Sequence, residues 1–365
     1  MKKILIHSNY HPNNAGGIES VVSKLINLII LLDYDVTCFF GGNKNNVDTQ
    51  FQNKLTLVSR KILKKFSGAP LLSFGNFFFI KYAKASNLII FQEPFPFLWP
   101  SVIFAIRVLR IPVIVVVHAT PSASPLVMRI YTKLRSIVFN GAVIVTTSPK
   151  LKDQIDAVCP MNTRVIPLCI SDSINFDGLE TIKAPSRYCL YFGRLASYKG
   201  LEYLLEAAQL VPHINIVIAG DGPLSSFIST KIVHYQLSNI LFLNRTMTEE
   251  EKYALIKGSD FLLFPSTSEN EAFGIVQLEA MRMGKAIINT WLESGVNFVA
   301  PHGVNALTVD RCDSAQLSSA MHELWGNRLL TNQLGLNSKI RYSELFSEIR
   351  FENNWRALFK EVLND

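Results

Sequence analysis

A chain of 365 residues, 48% apolar and 18% charged, has the balance of a globular protein with room for two full cores, which excludes a disordered or low-complexity chain. Its five cysteines (Cys38, Cys159, Cys169, Cys189 and Cys312) are scattered and form no CxxC pair; this excludes a disulfide-stapled scaffold or a Cys-based zinc site and predicts buried, reduced thiols in a cytoplasmic setting. The net charge of +7 is uneven: residues 1–170 hold 19 Lys and Arg against 7 Asp and Glu, whereas residues 171–365 hold 17 against 22.

Residues 3–7 read as a buried strand, and the apolar run after Met1-Lys2-Lys3 is too short for a secretory signal, so a cytoplasmic location is expected. Residues 18–32 repeat Val21, Val22, Leu25, Ile26, Leu28, Ile29 and Leu32 at helical spacing. Asp33-Tyr34-Asp35 has the form of a metal-binding DxD but falls between that helix and the next strand, and is read as a turn. His7 and His11 lie at a strand-to-loop junction with no shared helical face, so no metal site is expected there. Between residues 54 and 84, Lys54, Arg60, Lys61, Lys64, Lys65, Lys81 and Lys84 interleave with Leu63, Phe66, Phe74 and Phe77 to Phe79. That mixture suits an anionic membrane surface, and no nucleic-acid-binding motif accompanies it. Further strands are predicted at 35–40, 87–91, 112–118 and 142–146. Residues 87–118 are too often broken by charge and proline to span a membrane.

A polar stretch with Pro167, Gly178 and Pro185 marks a linker. The expected organisation is a first domain at 1–170, a linker at 171–186, a second domain at 187–345, and a C-terminal helical segment at 346–365 that packs back on the first domain. The second domain alternates predicted strands (188–192, 215–219, 240–243, 261–264, 286–289) with helices (201–210, 225–235, 249–257, 275–283); an amphipathic helix at 351–363 ends the chain. Alternation of this kind predicts two doubly wound α/β domains with ligands beyond the carboxyl ends of their strands, so the cleft between domains is the expected site.

The chemistry concentrates in the second domain. Glu271 and Glu279 flank seven residues at the mouth of a helix starting near Gly274, where a helix start leaves backbone N–H groups unpaired. Two carboxylates either side of such donors match the layout of a nucleotide-sugar. After the strand at 188–192, Gly193-Arg194-Leu195 and Lys199-Gly200 allow close backbone approach and supply two cations for a diphosphate. Ala219-Gly220-Asp221-Gly222-Pro223 reads as a structural turn.

With these motifs in this order, the chain resembles the retaining nucleotide-sugar glycosyltransferases of family 4 over nearly its full length. The resemblance continues in Pro265-Ser266, Met283-Gly284-Lys285, Gly295-Val296-Asn297 and residues 302–307. In the first half it rests on Asn9-Tyr10-His11-Pro12, Gly16-Gly17-Ile18-Glu19, Glu93-Pro94-Phe95-Pro96, His118 and Thr147-Ser148-Pro149. It implies an α/β, GT-B fold of two Rossmann-like doubly wound domains facing a central cleft. It implies that Arg194 and Lys199 bind the diphosphate, that Glu279 accepts from the ribose, and that Glu271 holds the sugar with Ala272, Phe273, Gly274 and Ile275. Gly16 and Gly17 would close over the donor, and His118, with Glu271, would stand at the reacting sugar. No metal or other cofactor is implied, since the two cations take the metal's task.

The chain departs from the family pattern at Ala119-Thr120 after His118, at Cys169 in place of a linker glycine, and at Asn244-Arg245 in place of a glycine. The implied activity is transfer of a hexose from a nucleotide diphosphate sugar, GDP-mannose first, to a lipid-linked (polyprenyl-diphosphate) oligosaccharide of bacterial surface polysaccharide, at the inner face of the plasma membrane. The alternatives are a UDP-sugar-dependent N-acetylglucosaminyl- or galactosyltransferase, a GT-B nucleotide-sugar epimerase, and a degenerate transferase serving as a membrane assembly factor.

Overall fold

The computed structural model describes residues 2–13, 17–50, 54–66, 69–119, 125–157, 161–172 and 182–364. The chain divides into unit 1 (Met1–Leu168 with Glu352–Asp365) and unit 2 (Cys169–Phe351).

Unit 1 holds β1 (Lys3–His7), β2 (Asp35–Gly42), β3 (Asn46–Gln50), β4 (Leu55–Phe66), β5 (Ala69–Leu72), β6 (Leu88–Glu93), β7 (Val113–Val117), β8 (Val143–Thr146) and β9 (Asn162–Val165). The order is β3-β4-β2-β1-β6-β7-β8-β9, with β5 beside β4. β3 and β5 run antiparallel to β4, and the other pairings are parallel. β1, β6 and β7 are continuous Ile, Leu, Val and Phe runs because both faces of a parallel sheet are covered. The strands expected at residues 3–7, 35–40, 87–91, 112–118 and 142–146 are all present, shifted by a residue or two at their ends.

The stretch from 54 to 84 is more ordered than its composition announces. β4 pairs with β2 from Val36↔Leu55 to Gly42↔Lys61, and the helix Gly75–Ala83 follows β5. Two members of the expected basic patch serve the fold instead. Arg60 is buried, with its guanidinium 3.7 Å from the Phe78 ring centre and its Nε donating to Ser73 O at 3.3 Å. Lys54 Nζ pairs with Asp33 at 2.5 Å, and Asp33 occupies the turn between the helix Gly17–Leu31 and β2 at φ 64°.

Unit 2 holds β10 (Cys189–Phe192), β11 (Ile216–Gly220), β12 (Ile240–Asn244), β13 (Phe261–Phe264), β14 (Ala286–Thr290) and β15 (Ala306–Val309), all parallel, in the order β12-β11-β10-β13-β14-β15. The chain winds outward from β10 to β12, then returns beside β10 as β13, so the sheet reverses direction between β10 and β13. Brändén's rule puts a ligand at this point, outside the carboxyl ends. β15 and the helices Ser314–Gly326 and Arg328–Arg341 were not legible in the sequence. The terminal helix is Glu348–Leu363, three residues longer at its start than expected. Its later part lies in unit 1: Lys2 Nζ donates to Leu363 O at 3.1 Å, and Arg164 pairs with Glu361 at 3.1 Å.

Among the described residues, no helix is long and apolar enough to cross a membrane. The burial expected of the cysteines is not met at Cys312, which is exposed.

Candidate active site

The loops after β10 and β13 meet at the reversal point of unit 2. The first is held open by its neighbours: Gly193 N donates to Ala219 O (3.1 Å), Leu195 N to Asp221 O (2.9 Å), and Tyr191 Oη to Arg194 O (3.0 Å). Arg194 is left exposed, and its guanidinium makes no hydrogen bond among the described residues. Thr267 N donates to Tyr198 O at 2.8 Å, tying the Lys199 turn to the loop after β13. Gly200, at φ 69°, fits against this loop only because it lacks a side chain; a Cβ there would lie 1.9 Å from Pro265 O.

That contact delivers Lys199 to Glu271. Lys199 Nζ forms an ion pair with Glu271 Oε2, which also accepts from Ser266 Oγ at 3.3 Å. Beyond Glu271, the N–H groups of Ala272, Phe273, Gly274 and Ile275 find no acceptor among the described residues. The helix Ile275–Arg282 begins there. Gly274 makes the corner at φ 79°, where a Cβ would come within 2.8 Å of Phe264 and Gln277. Gln277 braces the loop from below, donating to Phe273 O (3.4 Å) and accepting from Asn289 Nδ2 (3.1 Å). Unpaired backbone donors at a helix start, with Arg194 and Lys199 on the neighbouring loop, are the kind of arrangement that suits an anion.

Glu279 lies one helical turn further in, 8% exposed. Burial pushes its carboxyl up from the ordinary range, and Lys252 Nζ, 2.7 Å away, opposes the shift. Lys252 also reaches Glu249 at 2.7 Å. Burial pulls the Lys252 ammonium down, but the two carboxylates outweigh it and hold it raised. Sequence reasoning missed Lys252; the only signal was the Thr248-x-x-Glu251 capping box that starts its helix. Arg245 is tied in a two-pronged pair to Glu251 (2.8 and 2.5 Å).

In unit 1, Gly17 opens the helix Gly17–Leu31, and Gly16 lies outside the described residues. His118 follows β7, half-buried, with Nε2 2.7 Å from Gln92 Oε1. An amide oxygen only accepts, so Nε2 carries the ring proton and Nδ1 remains an acceptor. Burial pulls this imidazole down to about 4, which keeps it neutral at physiological pH. His7 and His11 do not come together: His7 is buried between Phe91 and Phe95, and His11 stands edge-on to Phe40. Among the described residues no His, Cys, Asp and Glu cluster has the form of a metal site.

Buried polar atoms without a hydrogen-bond partner gather at the carboxyl ends of β1, β6 and β8, among them Ser8 Oγ, Asn9 Oδ1, Gln92 Nε2, Glu93 Oε2 and Thr147 Oγ1. Such atoms are rare in folded proteins and mark a place built to meet polar partners. Glu93 was named in the sequence only as part of the Glu93-Pro94-Phe95-Pro96 motif, with no role given to it. It is 1% exposed, accepts from Tyr131 Oη at 2.5 Å and lies 3.7 Å from Arg135. Burial raises it from 4.5 to about 7, against Arg135 and Tyr131.

The folded chain therefore keeps a proton that the unfolded chain releases in this window. Through Glu93, stability falls as pH rises from 4.5 to about 7. Glu93→Gln is expected to gain on the unaltered chain over that window, by up to about 3 kcal/mol. His7, pulled down by burial to about 3, and His118 act oppositely in both proteins and cancel in the comparison. Urea denaturation across pH ~4.5 to ~7.5 reads the difference; a gap that stays flat with pH would mean that Glu93 is charged in the fold.

Two α/β units, the first on a mostly parallel sheet and the second on an all-parallel one, make this the two-domain GT-B fold of glycosyltransferases. The crystal structure of Anabaena Alr3699/HepE in complex with UDP aligns with a TM-score of 0.74 at 17% identity, covering 99% of this chain and 100% of that one. Residues 177–341 match the family described as glycosyl transferases group 1. The chain is 26% identical to O-antigen chain mannosyltransferase C of Escherichia coli, over 100% of this chain and 99% of the relative. It is also 26% identical to the D-rhamnosyltransferase WbpZ of Pseudomonas aeruginosa, over 95% and 92%.

Proposed function

We propose that the chain is a retaining hexosyltransferase that moves a sugar, mannose from GDP-mannose in the first instance, to a polyprenyl-diphosphate-linked oligosaccharide of O-antigen or capsule. The observation that carries this reading is the anion site at the β10/β13 reversal: four unpaired N–H groups from Ala272 to Ile275 beside Arg194 and Lys199. The names of the two relatives support transfer of a mannosyl or rhamnosyl unit, and that of the first supports an O-antigen product.

Arg194 and Lys199 take the diphosphate, and Lys199 exchanges its ion pair with Glu271 for phosphate oxygens. The freed Glu271 accepts from sugar hydroxyls together with the N–H row, while Glu279, oriented by Lys252, accepts from the ribose. The bond from the anomeric carbon to the β-phosphate oxygen breaks with its electron pair going to the phosphate. The acceptor hydroxyl then attacks the same face, and its proton passes to the departing phosphate oxygen. The growing charge on the leaving group is met by Arg194, Lys199 and the N–H row, with no metal.

A thermal-shift panel of GDP, UDP and dTDP tests the reading, since a ligand that binds only the folded chain raises its melting temperature. GDP is expected to give the largest shift, with or without EDTA. A larger shift from UDP would move the donor to a UDP-sugar, and no shift from any of the three would overturn the function.

The same reading places the chain on a membrane. Leu63, Phe74 and Phe77 are 61%, 75% and 68% exposed, and Lys61, Lys64, Lys81 and Lys84 are exposed around them. Binding to anionic vesicles is expected to weaken with salt and on replacing Lys61 and Lys64 by Ser. Sedimentation with vesicles measures it; unchanged pelleting would leave these lysines as a solvated face.

A further inference from the structure

A groove of about 740 Å³ opens in unit 1; Tyr10 and His11 of the Asn9-Tyr10-His11-Pro12 motif line it, and none of the residues assigned to the donor does. Its volume is that of a ligand site rather than a surface wrinkle. It lies at the carboxyl ends of β1 and β2, the edge of the sheet where parallel strands present ligands.

One wall is β3, exposed along its whole length. Side chains alternate along a strand, so Asn46, Asp48 and Gln50 share one face, and all three line the groove while Val47 and Thr49 do not. Gln50 Nε2 donates to Asp48 Oδ2 at 2.8 Å, which presents the pair as one unit. Opposite them on β4 stand Ser59, across from Asn46, and Leu57, across from Asp48. The other wall carries the rings of Tyr10, His11 and Phe40. The groove holds one lysine, Lys44, and one aspartate, and is formally neutral in a unit that is otherwise strongly basic.

Each of these features bears on the occupant. A phosphate or anionic headgroup calls for clustered Arg or Lys, which the groove lacks. A row of amides and a carboxylate offers paired donors and acceptors suited to vicinal hydroxyls, and the half-buried rings of Tyr10 and His11, above the buried Phe40, add apolar surface suited to the C–H groups of sugars. The sheet order then fixes how far this lies from the chemistry. From β2 through β1 and β6 to β7 there are three strand spacings, about 14 Å, between the groove and the loop that carries His118.

We propose that this groove binds interior sugars of a neutral, linear oligosaccharide acceptor, two or more residues back from the end that receives the new sugar. The assignment rests on the glycosyltransferase reading above, and goes beyond it by naming the residues that measure acceptor length.

The test uses the full chain and its Asn46→Ala/Asp48→Ala/Gln50→Ala variant, titrated by NMR with mannotetraose, cellotetraose and chitotetraose. At least one tetrasaccharide is expected to bind, with affinity lowered tenfold or more in the variant and binding of GDP or UDP unchanged. Binding of none of them, or equal binding by the variant, would overturn the proposal. Should the triple variant fail to fold by circular dichroism, Asp48→Ala alone is read in the same way, since its carboxylate is exposed. Nucleotide binding separates the two readings: if GDP, UDP and dTDP all fail to bind, the transferase reading falls; if a nucleotide binds and no saccharide does, the groove assignment falls alone.

Discussion

Arg194→Ala is expected to slow sugar transfer by roughly 10²-fold or more without unfolding the chain. The side chain is exposed at the end of β10 and bonds to no described residue, so its removal costs the fold little. What it removes is charge facing the departing diphosphate, an interaction that strengthens only as the bond breaks. Lys199→Ala is expected to match that loss of rate but to behave differently in stability. It strips Glu271, whose side chain is 12% exposed, of its ion-pair partner, and a mostly buried carboxylate without its cation is unfavourable. Initial rates with labelled donor, paired with circular dichroism, separate the two effects. Near-normal turnover in folded Arg194→Ala would remove the diphosphate assignment.

Gly200→Ala is expected to be the most damaging single methyl at the site. The added Cβ would overlap Pro265 O at 1.9 Å and the residue would be held at φ 69°, so the Lys199 turn and the loop after β13 must separate. The cost is expected to exceed about 3 kcal/mol, lowering the melting temperature of unit 2 by on the order of 10 °C. Nucleotide binding should weaken with it, because the same contact brings Lys199 to Glu271. Gly303→Ala is the matched control: its φ is 71°, but nothing lies within 4 Å of the added atom, so only the backbone strain of about 1 kcal/mol remains. Equal melting temperatures for the two variants would mean that the turn yields freely.

The alternating apolar runs were enough to place β1, β6, β7 and β8 and the sheet of unit 2 up to β14, because strands buried on both faces have no polar positions to confuse the pattern. They did not reveal β4, where Arg60, Lys61 and Lys64 interrupt the apolar period; there the fold buries Arg60 against Phe78 and leaves Lys61 and Lys64 outside. β15, Ala306–Val309, was too short a run to stand out.

The loop and helix start between Glu271 and Glu279 were legible for a similar local reason. Gly274, the helix start and the Glu271–Glu279 spacing lie within a few residues of one another, so their geometry follows from the chain itself. The partners of these groups did not. Lys252 meets Glu279 across 27 positions of sequence, Lys199 meets Glu271 across 72, and His118 meets Gln92 across 26. Sequence alone therefore determined which residue types stand at each strand end. Which carboxylate is paired, which histidine nitrogen is left as an acceptor, and that Asn46, Asp48 and Gln50 face a groove were decided by strand order and register, because those set which loops share an edge of the sheet.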